Sequence, residues 1–177
     1  APTAGSNSPL CAGSNINLTA SAIAGATYNW TGPNAFTSTL QNPTIVGASI
    51  LAAGVYSVRA TVAGCQGPAG TTTVVVNPTP AAPTAGGTAT LCAGGTINLT
   101  ASAIAGATYN WTGPNSFTSN VQNPTIPGAS TLATGMYSVT ATVAGCTGPA
   151  GTFSVTVFGI PGAPTLGSNS PLCTGNT

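Results

Sequence analysis

The sequence predicts an all-β chain built from tandem β-sandwich units of about seven strands each. The first observation behind this is repetition. Cys11 returns as Cys92 and Cys173, Trp30 as Trp111, Tyr56 as Tyr137 and Cys65 as Cys146, always 81 positions on (92 − 11 = 81) and without insertion. Roughly three-quarters of aligned positions are identical, the mark of a tandem array of one structural unit. The second is periodicity: apolar and polar residues alternate in short runs, the period of half-buried strands and not of helices. The third is punctuation by Gly, Pro and Asn at the spacing of an all-β sandwich. The units fall at 1–82, 83–163 and 164–177, the last being the opening of a third copy.

Within one unit the elements follow in order. Pro2 to Gly5 is a short extended opener. Asn15 to Ala22 places Ile16, Leu18 and Ala20 on one face and Asn17, Thr19 and Ser21 on the other, one buried and one wet. Thr27 to Thr31 is the next strand, with Tyr28 and Trp30 on the same side, and Gly32-Pro33-Asn34 turns the chain. Phe36, Ser38 and Leu40 alternate weakly. Asn42-Pro43-Thr44-Ile45 reads as an edge segment, because proline cannot donate to a ladder. Leu51 to Gly54 is a corner before Val55 to Ala63, whose Tyr56, Val58, Ala60 and Val62 are expected inside. A Gly-rich loop around Cys65 leads to Thr71 to Asn77, with Val74 and Val76 inward. The joints Asn77–Pro83 and Phe158–Pro164 are rich in proline, which favours extended, semi-rigid linkers.

Composition excludes most chemistry. The chain has no Asp, Glu, His or Lys, and Arg59 is its one charged side chain. General acid–base catalysis draws on just those missing groups, and neither a Ser-His-Asp nor a Cys-His arrangement can be assembled, so no catalytic residue is expected. Calcium and magnesium need carboxylates and zinc would have cysteine alone at unsuitable spacing, so neither metal nor cofactor is expected. Nucleic acid lacks its basic footprint. No apolar run approaches the roughly 20 residues of a transmembrane helix. The start at Ala1 has no signal-peptide pattern and reads as mature or internal sequence.

The cysteines point to an oxidising compartment. Each full unit has two, and the spacing predicts bridges Cys11–Cys65 and Cys92–Cys146, 54 positions apart in both (65 − 11 = 146 − 92 = 54), leaving Cys173 to a partner past Thr177. Buried, reduced cysteines are the alternative.

The string Cys11…Trp30…Gly54-Val55-Tyr56…Cys65 resembles the immunoglobulin fold, with a core Trp on the third strand and a Tyr opening the penultimate one. That resemblance implies tandem immunoglobulin-like sandwiches, structural core roles for Trp30, Trp111, Tyr56 and Tyr137, and a corner tyrosine whose hydroxyl is tied to backbone upstream. Cys65 lies nine residues after Tyr56, where antibody domains place the cysteine two after, so the implied bridge sits near one end of the sandwich. Asn7-Ser8-Pro9-Leu10-Cys11-Ala12-Gly13, Ala26 to Asn34 and Gln41 to Ile45 are similar to the Ig-like repeats of large surface adhesins of Bacteroidota, of the gliding-motility type exported by type IX secretion. This implies an extracellular, cell-surface stalk or filament. Its expected partners are neighbouring repeats of the same chain, other copies in a filament, and surface glycans. The rival readings are a module whose loops at one end of the sandwich recognise glycan or another cell, although Gly32-Pro33-Asn34 and Gly64-Cys65 repeat nearly verbatim, and a fibre subunit that polymerises by strand exchange. Trp30, Trp111, Tyr28 and Tyr109 are weighed as a sugar platform too, but alternation points them into the core.

Overall fold

The computed structural model describes Ala1–Gly167. Of the opening of the third copy, residues 168–177, Cys173 among them, lie outside the described residues. The first repeat carries β1 (Ala4–Ser6), β2 (Leu10–Cys11), β3 (Ile16–Ala20), β4 (Ala26–Gly32), β5 (Phe36–Ser38), β6 (Thr44–Ile45), β7 (Gly54–Val62), β8 (Cys65–Gln66), β9 (Gly70–Val74) and β10 (Val76–Asn77). The second carries β11 (Ala85–Gly87), β12 (Thr90–Cys92), β13 (Ile97–Ala101), β14 (Thr108–Gly113), β15 (Phe117–Ser119), β16 (Thr125–Ile126), β17 (Gly135–Val143), β18 (Cys146–Thr147) and β19 (Gly151–Phe158). Counting β9 and β10 as one interrupted strand, each repeat has nine strands, of which β2, β6 and β8 in the first and β16 and β18 in the second have only two residues.

Two sheets face each other in each repeat. In the first, β1-β3-β6 forms one layer, and β5-β4-β7-β9, with β8 on the same β7, forms the other. All these pairings are antiparallel; β2 joins β10 in parallel. Alternation sets which face is buried: Ile16, Leu18 and Ala20 point inward from β3, and Tyr28 and Trp30 from β4. Each repeat closes its own apolar core, one around Trp30 and Tyr56 and the other around Trp111 and Tyr137. A buried Trp removes roughly 150–250 Å² from water, worth about 4–6 kcal/mol before the cost of ordering it.

A short 3₁₀ turn, Ile50–Ala52, makes the corner before β7. The Tyr56 hydroxyl donates to Ala52 O at 2.8 Å, and Tyr137 repeats this with Ala133 O at 2.9 Å. Gly32 is glycine for space: a Cβ there would lie 2.3 Å from the Tyr56 ring. Phe36 meets the same ring edge-on at 5.6 Å.

Some expectations change. Leu40 is exposed, because β5 ends at Ser38. Val62 is also exposed, since β7 there runs past the sandwich toward its turn. The last strand, continuous as β19, breaks at Val75 in the first repeat. Thr156 N–H donates to the Ala89 carbonyl within the β12–β19 ladder, whereas Val75 N–H donates to the Ser8 hydroxyl. The first repeat has Pro9 where the second has Thr90, so its parallel ladder starts one residue later.

Candidate functional site at the joint between repeats

The sequence offers no catalytic constellation, and among the described residues no three potential metal ligands gather together. The feature with chemistry is covalent. Cys11 is bonded to Cys146, 135 positions away, with Cα atoms 5.6 Å apart; Cys65 and Cys92 are free thiols and exposed. The pairings expected from spacing, Cys11–Cys65 and Cys92–Cys146, are therefore corrected: the bridge runs between repeats.

Register explains why. Cys11 is paired with Asn77, and β10 continues β9, whose Val74 lies opposite Gly54. Cys65 lies opposite Val62, at the other end of β7. Eight strand steps separate Gly54 from Val62, about 26 Å, whereas a disulfide needs Cα atoms within roughly 7 Å. The two cysteines of one repeat thus sit at opposite poles of its sandwich. A bridge becomes geometrically available only when the Cys11 pole of one repeat meets the Cys146 pole of the next.

Local structure aims the second cysteine outward. Val143 and Cys146 close a two-residue hairpin whose Ala144 (φ 49°) and Gly145 (φ 79°) both occupy the left-handed region, the conformation of a type I′ turn. The turn's carbonyls face the first repeat. Asn77 Nδ2 donates to Ala144 O at 3.3 Å, and Cys11 Sγ rests 3.9 Å from Gly145 O. The linker runs beside them: Pro78, Thr79 and Pro80 line a shallow groove with Ile104, Ala105 and Val143 of the second repeat. Gly148 is glycine because the Pro80 carbonyl would sit 2.2 Å from a Cβ. Cys146 is 1% exposed, so the joint shields its sulfur from solvent.

The aromatic residues considered as a sugar platform are elsewhere. Trp30 and Trp111 are wholly buried, with indole N–H groups donating to Gln41 O and Gln122 O at 3.2 and 3.1 Å. Tyr28 is buried too, its hydroxyl donating to Ser21 O and accepting from Ile23 N–H. Arg59 stands on the outer face and donates to Gly67 O at 3.2 Å. The signal that sequence reading missed was polarity: the two cysteines flank β7 in sequence, and its length keeps them apart.

No protein-family profile matches the chain, and no curated protein matches it. Solved structures do match in fold. A marsupial T cell receptor is 15% identical with a TM-score of 0.56, covering 92% of this chain and 74% of its own. A chain from the crystal structure of a mouse coronavirus receptor-binding domain with its murine receptor is 15% identical with a TM-score of 0.54, covering 89% and 100%. The I-band fragment I67–I69 of titin is 12% identical with a TM-score of 0.50, covering 90% and 66%. The fold is all-β and immunoglobulin-like.

Proposed function

We propose that this chain is a run of immunoglobulin-like domains, at 1–82 and 83–163 with a third opening at 164, in an extracellular structural array, the stalk or filament of a bacterial surface adhesin. Its job is mechanical and needs no cofactor. The observation that carries the reading is the Cys11–Cys146 bond, which fastens one repeat to the next. A covalent clamp across a joint serves reach and stiffness. A disulfide also persists best in an oxidising compartment, outside the cytoplasm. A surface with one charged side chain sheds little repulsion on a neighbour, which favours packing into a filament. Burial of both tryptophans speaks against an aromatic sugar platform; the loop-based binding alternative is disfavoured by loops that repeat nearly verbatim between the copies.

The test is location and form. Antibodies raised against the 177-residue chain should label intact, unpermeabilised cells, and immunogold microscopy should place the label along extended surface structures. Labelling that appears only after lysis would overturn the proposal.

A further inference from the structure

The two repeats are near copies, yet their matching residues differ in burial in a directional way. Cys146 is 1% exposed, whereas Cys65, its counterpart 81 positions earlier, is exposed. Val143 and Ile104 are half-buried against the linker, whereas Val62 and Ile23 are 39% and 37% exposed. At the opposite pole, Leu10 is buried and Cys11 half-buried, whereas Leu91 is half-buried and Cys92 exposed. Every one of these differences has one cause: the inner residues lie in the joint and their outer counterparts do not.

From this we infer that the outer poles are two halves of the same joint, each built to receive a further copy of this repeat, head to tail, and to be closed by a disulfide. The inference rests on the structural-array reading and adds its connectivity. Cys65 would bond the Cys92-type cysteine of a preceding copy, and Cys92 the Cys65-type cysteine of a following one. Glycine placement agrees. Gly67 has only the Ala60 carbonyl near its missing Cβ, at an ordinary 3.5 Å, but its counterpart Gly148 is where the linker passes. At the other pole, Phe158 and Ile160 stand exposed at the places of Asn77 and Thr79 and give the next joint an apolar seat. Because the poles differ, the contact is heterologous, and each joint leaves an unlike pole at either end for the next copy.

Closure is thiol–disulfide exchange. The thiolate of one cysteine attacks a small disulfide oxidant such as oxidised glutathione and releases one reduced thiol. The second cysteine's thiolate then displaces a second glutathione from the mixed disulfide, forming the bridge; the two electrons and, by way of solvent, the two protons end on the two released glutathione thiols.

The test is a concatemer in which residues 2–163 follow residues 1–163, giving four repeats and eight cysteines (four from each copy). It is oxidised with a glutathione redox pair, unfolded, and titrated for thiols, with bridged peptides mapped by mass spectrometry. Three bridges and two thiols are expected, with first-copy Cys92 bonded to second-copy Cys65. Cys92→Ser in the first copy should raise the count from two thiols to three by stranding that Cys65, and both cysteines are exposed enough to replace without disturbing a core. Four thiols would overturn the inference, since only the Cys11–Cys146 joints would then have formed. No thiols would overturn it as well, by showing bridges within each repeat. Either failure leaves the surface-labelling result untouched, so the connectivity and the structural role fall separately.

Discussion

Breaking the inter-repeat bridge should destabilise the chain as a pair of repeats, and Cys65→Ser should not. Suppose the second repeat unfolds while the first stays folded. The bridge then closes a loop from Asn77, at the end of β10, to Cys146, a span of 69 positions (146 − 77 = 69). Chain entropy for a loop of that size gives about 4 kcal/mol of stabilisation at 25 °C, and about 5 kcal/mol if both repeats unfold together within the 135-position loop. One kcal/mol moves the midpoint of a domain of this size by about 4–8 °C, so a fall of at least about 8 °C is expected even if half the stabilisation is realised. Three perturbations should agree: Cys11→Ser, Cys146→Ser, and reduction of the unaltered chain. Reduction matters most, because it leaves every other atom in place. Scanning calorimetry with and without reductant is the assay. Cys65→Ser should melt with the parent within about 1 °C, as exposed substitutions away from special features usually do. Equal losses for Cys65→Ser and Cys146→Ser would refute the register reasoning, and so would a midpoint indifferent to reductant.

Other consequences are checked as directly. Gly148→Ala should hinder bridge formation during oxidative refolding, because its Cβ meets the Pro80 carbonyl, while Gly67→Ala should refold like the parent; thiol titration against time separates them. Tyr56→Phe and Tyr137→Phe should each cost about 1–3 kcal/mol in denaturant unfolding by orphaning a buried carbonyl, Ala52 O or Ala133 O. Stability should be nearly flat from about pH 4 to 9, because no carboxylate or imidazole side chain exists to titrate. Above about pH 10 it should fall: burial raises the pKa of Tyr56 and Tyr137, so the unfolded chain loses those protons first and is favoured as pH climbs through the folded values. Melting curves across pH would show this limb, and it should shrink in the double Tyr→Phe variant.

Much of the fold was legible because one alternation serves each buried face. Ile16-Asn17-Leu18-Thr19-Ala20 can bury its apolar side only as a strand, and β3 does so. The Gly54 corner and the Tyr56 hydroxyl bond to Ala52 are local, so short-range sequence carries them. What was not legible is long-range. Cysteine arithmetic is satisfied equally by pairing within a repeat and by pairing each repeat with the next, because a shift of 81 positions leaves residue identities unchanged. Only the register of β7 against β9 and β10 puts Cys11 and Cys65 at opposite poles. Val62 was misassigned for a related reason: alternation gives the face a residue points to, but not where the opposing layer stops.

Connectivity also sets how far the chain can be stretched, and single-molecule pulling from the two ends reads it. With Cys11 bonded to Cys146, 135 positions are shielded from load, about 470 Å of contour at ~3.5 Å per residue. Two within-repeat bridges would shield 108 positions (54 + 54), about 380 Å on the same scale. Adding reductant should therefore lengthen the fully extended chain by about 470 Å, and a gain near 380 Å would refute the inter-repeat bridge. The difference compounds in an array. If every joint of an array carried the inferred bridge, the bridges would overlap, and the shortest covalent route would run from the second cysteine of one repeat along 27 residues to the first of the next (92 − 65 = 27) before crossing another bridge. That route would advance two repeats for 27 residues, about 95 Å fully stretched, whereas within-repeat bridges would leave 27 free residues in every single repeat. A row of such joints would halve the slack that unfolding can release.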